Sequence, residues 1–206
     1  MTQKNDEKLN SIVFVDTETT GLNPLVDRVF EVGIIRVENG KIVSQFQTVI
    51  NPGIELPEYC YKMTGVKKGE IRKAPNFIEV KDKVFSELKG ALFVAHNAKF
   101  DYDFLDQEFT RVDLPFGPPS LCTVKLTRQL YPYFPRHDLD TVTRRLKITI
   151  NKRHRAFDDA YALWDLFKII QRKFSEEKLL HIVNGLIVPG KSTFRQTAKS
   201  QMGMLI

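Results

Sequence analysis

Ile12-Val13-Phe14-Val15 is a continuous run of β-branched and aromatic residues that stops at Asp16, the pattern of a central strand buried on both faces. Val29 to Val37 reads as a second strand and Ile42 to Ile50 as a third. Asn39-Gly40 lies between them, and Asn-Gly tolerates the positive φ of a tight hairpin turn. The chain therefore opens as an antiparallel meander. Helical spacing takes over at Phe77 to Leu88, where positions 77, 80, 84, 85 and 88 form one apolar stripe closed by Gly90. Ala91 to Ala95 is another buried strand. Phe100 to Phe109 follows as a helix, Leu121 to Leu130 as a short strand running into a helix, and Leu139 to Leu146 as a short helix. Ala156 to Phe174 is a long helix, and Glu176 to Val183 fits one more. A meander followed by alternating helix and strand predicts an α/β fold with a mixed sheet and helices on its faces.

With 206 residues the chain has room for one domain with a full core. Positions 10–174 are expected to form it, with a disordered stretch over 1–9 and a C-terminal helix and basic tail or linker over 175–206. No apolar run approaches the roughly 18 residues that span a bilayer, so no membrane association is expected. The polar first ten residues lack the apolar segment of a signal peptide. Two cysteines, Cys60 and Cys122, suggest neither a disulfide framework nor a zinc site, and a reducing cytoplasm is the default.

The net charge of +6 is unevenly spread. Cys122 to Arg155 carries nine Lys/Arg against two Asp, a local excess of +7. A phosphate-backbone partner suits such a stretch, although a solvated charged face reads the same way in isolation.

Three polar clusters sit at the margins of apolar elements: Asp16-Thr17-Glu18, Asp101, and His154 with Asp159 five residues on. Residues i and i+2 of an extended segment share a side, so Asp16 and Glu18 point together. Their place after a central strand is where open α/β sheets form a ligand crevice. In the last long helix, Ala156, Ala160, Leu163, Phe167 and Ile170 define the core face. At about 100° per residue Asp159 falls roughly 60° from it and Asp158 roughly 160° away. Asp159 is thus expected to look into the crevice, Ala156 and Ala160 to allow close approach to the sheet, and His154 to lie on the loop before the helix. Four converging carboxylates repel unless cations separate them. An all-carboxylate set favours two Mg²⁺ or Mn²⁺ ions, and such a pair is suited to phosphodiester hydrolysis. Histidine, which exchanges protons near neutrality, is a candidate base. Taken singly, each residue has a plainer reading: a strand end, a helix cap, a surface histidine. His96 and Asn97 read as loop-orienting hydrogen bonders.

Asp16-Thr17-Glu18-Thr19-Thr20-Gly21, His96 to Asp101 and His154 to Ala160 together resemble the three motifs of the DEDDh 3′–5′ exonucleases, nearest to the proofreading ε subunit of bacterial DNA polymerase III and PolC-type exonuclease domains. The resemblance spans about residues 10 to 172. It implies a ribonuclease H-like fold with a five-stranded sheet, and stepwise release of nucleoside monophosphates from a 3′ end. Asp16, Glu18, Asp101 and Asp159 would hold the metals and His154 would act as base. Leu22 and Phe100 would pack on the terminal nucleotide, Thr64 would reach its ribose, and Thr17, Thr19, His96 and Asn97 would line the substrate path. Cys122 stands where many relatives carry aspartate. Single-stranded or frayed 3′ ends are the implied partner, with a role in proofreading or repair beside a polymerase subunit. The terminal Gln201 to Ile206 loosely resembles peptides that dock on sliding clamps. An RNA-trimming enzyme of the same fold and a catalytically silent nucleic-acid-binding subunit are the rival readings, and a silent module would have no need of four converging carboxylates.

Overall fold

A computed structural model describes residues 11–191. Its centre is a five-stranded sheet of β1 (Ser11–Thr19), β2 (Val29–Glu38), β3 (Lys41–Val49), β4 (Leu92–Ala95) and β5 (Ser120–Cys122), in the order β3-β2-β1-β4-β5. β1, β2 and β3 form the antiparallel meander, and β4 and β5 join parallel to β1. The mixed sheet expected from the sequence is therefore the one observed. Among the described residues eight helices surround it: α1 (Glu58–Thr64), α2 (Lys68–Lys73), α3 (Phe77–Leu88), α4 (Lys99–Thr110), α5 (Thr123–Leu130), α6 (Leu139–Leu146), α7 (Ala156–Lys173) and α8 (Glu176–Leu186).

Period-two alternation along β1 divides the interior. Val13 and Val15 join Phe77, Val84, Phe104, Leu105 and Phe109 on the α3–α4 face. Ile12 and Phe14 join Leu163, Phe167 and Ile170 on the α7 face. Phe14, wholly buried, packs at 5.0 Å edge-on to Phe167 and 5.7 Å from Trp164. Burying one such ring contributes roughly 2–3 kcal/mol. Leu179 and Val183 of α8 enter the same core, and Val188 bridges to Ser120 at the edge of β5.

The close seating of α7 has a specific cause. A Cβ placed on Gly33 of β2 would lie 2.3 Å from the backbone carbon of Ala156 and 2.4 Å from the nitrogen of Phe157. Glycine at 33, with the fully buried Ala156 and Ala160 opposite, lets the first turn of the helix rest on the strand.

Two features depart from the sequence reading. β1 does not stop at Asp16 but continues to Thr19, because Asp16 and Glu18 pair with Gly33 and Glu31 of β2. The helices α1 and α2 are additions to the expected elements. At seven and six residues neither is long enough to display a repeating stripe. They pack through Cys60 and Ile71 on Phe30 as a small third core. The N-terminal segment 1–9 and the clamp-like peptide 201–206 lie outside the described residues.

Candidate active site

The even positions of β1 that supply Ile12 and Phe14 to the α7 face also supply Asp16 and Glu18. The intervening Thr17 points the other way, to α4, where its amide and hydroxyl both donate to Asp101 Oδ1 at 2.9 Å. Asp101 sits in the first turn of α4, close to the sheet's carboxyl end, and is buried. Asp159 lies in the first turn of α7 and is 2% exposed, whereas Asp158 is only half-buried. The helix begins at Ala156, so His154 stands on the preceding loop, as the helical geometry requires. His154 has φ 60°, and its amide donates to Asp159 Oδ2 at 3.0 Å. Asn97, at the turn between β4 and α4, has φ 66°. Left-handed backbone at non-glycine residues costs of order 1 kcal/mol and tends to gather at functional sites.

These residues line one open cavity of about 830 Å³. It takes in Asp16, Thr17, Glu18, Asp101, His154 and Asp159, with His96, Asn97 and Phe100 beside them. Glu18, His154 and Asp159 each offer a ligand atom within 4.8 Å of the others. Crowding shows in the protonation of the acids. Burial, then repulsion from Asp101, Asp159 and Glu18, drives Asp16 well above the ordinary carboxylate range. Burial and the facing Asp159 push Glu18 up to about 8. Asp101 is pushed up to about 7 by burial, against the opposing pull of the Thr17 hydrogen bonds. Asp159 is raised by burial, with Arg153 and His154 opposing.

The chemistry of this donor set fits divalent metal ions. Asp159 Oδ1 is buried and makes no hydrogen bond, an orphan acceptor on a residue that lines the cavity. Such an arrangement is costly unless a cation completes it.

His96, in the cavity wall, is a neutral imidazole. Its Nε2 lies 2.9 Å from the carbonyl of His137, which can only accept, so Nε2 carries the proton and Nδ1 accepts from Thr123 Oγ1. Burial holds its pKa down to about 4. It ties the end of β4 to the loop before α6, the loop-orienting part read from the sequence.

Three residues that the resemblance makes substrate contacts are not among those lining this cavity. Thr19 Oγ1 donates to Gly21 O at 2.7 Å, and Thr64 Oγ1 donates to Cys60 O at 2.9 Å within its own helix. Leu22 stands 84% exposed on the loop after β1. In the other direction, the cavity gains Arg128, Arg136, Asp138 and Arg153, which sequence reasoning does not single out. The three arginines belong to the basic stretch, whose charge excess is the available signal. Glu31 is a further addition. It is buried opposite Glu18 in register, and the Arg155 Nε binds both its oxygens at 2.9 and 3.0 Å. A carboxylate inside the apolar run from Val29 to Ile35 is the sign of it.

The sheet, the helix seats and the converging carboxylates define a nuclease of the ribonuclease H-like class. Residues 13–167 match the exonuclease family RNase T, and the chain belongs to it, as one of the DEDDh 3′–5′ exonucleases whose three motifs it carries. It is 35% identical over 164 residues to a PolC-type DNA polymerase III of Caldanaerobacter subterraneus, covering 80% of this chain and 12% of that protein. With the PolC-type polymerase III of Clostridium perfringens it shares 32% identity over 174 residues, 84% of this chain and again 12% of the relative. The chain thus spans only 12% of the length of these relatives. Two solved structures share the fold. Exonuclease X in complex with 5′ overhanging duplex DNA has a TM-score of 0.63 at 24% identity, covering 84% of this chain and 99% of that one. The nuclease domain of 3′hExo, a DEDDh family member bound to rAMP, has a TM-score of 0.68 at 20% identity, covering 90% and 100%. Among the described residues no helix is long and apolar enough to cross a membrane.

Proposed function

We propose that the protein hydrolyses the terminal phosphodiester at the 3′ end of single-stranded or frayed DNA, releasing nucleoside monophosphates, with two Mg²⁺ or Mn²⁺ ions held by Asp16, Glu18, Asp101 and Asp159. The observation that carries this reading is the convergence of Asp16 with the buried Glu18, Asp101 and Asp159 on one cavity, where one Asp159 oxygen has no partner. When bound, such ions activate water and stabilise the leaving oxygen of a phosphodiester.

The chain's own residues supply the rest. His154 lies beside Glu18 and Asp159 at the cavity mouth and serves as the base that accepts a proton from the attacking water. Its backbone is fixed by the hydrogen bond that its amide donates to Asp159 Oδ2, so the residue that holds the metal also aims the base. Thr17 keeps Asp101 in place through two donors on one oxygen. Phe100 and Asn97 border the same space and are suited to the terminal base and sugar. Arg128 and Arg136 give the far wall positive charge for the phosphate backbone. Leu22, exposed on its loop, is suited to stack on a nucleotide that enters from that side. Proofreading beside a polymerase is the setting favoured by the likeness to PolC-type polymerases.

The test is product release from 5′-labelled oligonucleotides of matched DNA and RNA sequence, single- and double-stranded, with Mg²⁺ or Mn²⁺. Progressive 3′ shortening, fastest on single-stranded DNA, is the expected result. Preferential shortening of RNA would replace the DNA assignment with an RNA-trimming one.

A further inference from the structure

The site contains a cation that belongs to the protein. Arg153, on the loop before α7, donates from Nη1 to Asp159 Oδ2, and from Nε to Asp140 Oδ1 at the start of α6. Its side chain is 29% exposed, that of Asp159 only 3%. Oδ2 of Asp159 therefore receives two donors, the Arg153 guanidinium and the His154 amide, while Oδ1 receives none. The guanidinium also faces Asp16 and Glu18 closely enough to favour their ionised forms.

We infer that Arg153 is a positioning residue, a built-in counter-cation that holds Asp159 in place before loading and competes with a divalent ion for its carboxylate. The inference rests on the metal reading proposed above. The competition is electrostatic. A guanidinium on Oδ2 neutralises the carboxylate that a metal would use and repels an incoming dication. Asp140, more exposed than Asp159, offers the displaced guanidinium a partner, so the arginine gives up one of its two anchors and keeps the other. The planar fork of arginine reaches both acids at once, which a lysine ammonium cannot do in the same way.

The experiment is calorimetric titration of Mn²⁺ into the full chain and its Arg153→Gln and Arg153→Lys variants, with melting temperatures in chelator and in saturating Mn²⁺. Arg153→Gln is expected to tighten Mn²⁺ binding about tenfold or more, since it removes a unit charge from the site. The same variant should melt lower than wild type in chelator, where the carboxylates have lost their cation, and close to it in saturating Mn²⁺. Arg153→Lys should bind Mn²⁺ nearer to wild type than to the glutamine variant. Unchanged or weaker binding in Arg153→Gln, or equal tightening in both variants, overturns the inference while leaving the metal site standing. No Mn²⁺ binding by the wild type overturns both.

Discussion

Gly33→Ala tests the idea that a close seat for α7 sets the geometry of the whole site. The new Cβ would meet three backbone atoms of Ala156 and Phe157 at 2.3 to 2.4 Å. Carbon atoms settle at about 3.5 Å or more, so the first turn of α7 must retreat by about 1 Å. That turn carries Asp159 and follows closely on His154, while the partner of Gly33 across the sheet is Asp16. One methyl group thus drives apart carboxylates that are proposed to meet on the same ions. Overpacking of this kind costs about 1–3 kcal/mol of stability. A displacement of about 1 Å costs on the order of 100-fold in rate. The assay pairs thermal melting with the turnover rate on a single-stranded oligonucleotide. Gly69→Ala serves as control, since a Cβ there meets nothing within 4 Å, and it should leave activity unchanged. Gly33→Ala with wild-type turnover and wild-type Mn²⁺ affinity would mean that the seat of α7 does not set the geometry of the site.

Arg155→Ala leaves Glu31 buried without its partner and is expected to cost about 3 kcal/mol, because an uncompensated interior charge remains; denaturant unfolding measures it, and a loss well under 1 kcal/mol counts against the assignment. In the metal-free protein, stability should fall as pH rises. Glu18 keeps its proton in the fold up to about 8, while the unfolded chain releases it near 4.5, so the folded state binds more protons through that interval and the slope is negative. Asp101, held at about 7, adds to the same trend. Melting temperatures in chelator from about pH 5 to 8 check this; because metal binding expels those protons, the gap between Mn²⁺ and chelator should widen with pH, and a narrowing gap contradicts the account. Asp16→Asn replaces a carboxyl that the fold resists ionising with a group that never ionises, so it should melt higher than wild type in chelator yet gain less from added Mn²⁺. A lower melting temperature in chelator would show that the carboxylates are not in mutual strain.

Much of this site is legible in the sequence, for reasons that lie in particular residues. The strand period places Asp16 and Glu18 together, and the helix period separates Asp159 from Asp158 and leaves His154 on a loop. Both rest on local geometry, which the chain writes into its own spacing. The meander and the parallel strands beside it follow from Asn39-Gly40 and from the apolar runs. What escapes depends on contacts between distant segments. Glu31 and Arg155 meet 124 positions apart, and nothing near either residue marks the other. Arg153 stands in view within a basic stretch, but its reach to Asp140 and Asp159 is set by the loop joining α6 to α7. The bond from the Thr17 hydroxyl to Asp101 is likewise invisible in the sequence, because it joins residues 84 positions apart. The helices α1 and α2 are too short to carry a period and are held by Phe30 and its neighbours instead.

Four carboxylates and His154 are proposed to hydrolyse DNA from its 3′ end with the help of divalent ions. The most direct measurement compares wild type with Asp16→Ala on a 5′-labelled single-stranded oligonucleotide in Mn²⁺, with circular dichroism to verify that the variant is folded. The expected result is a ladder shortening from the 3′ end for the wild type, abolished by chelator, and no shortening for the folded variant. Equal shortening by both proteins, or wild-type shortening that persists in chelator, would contradict it.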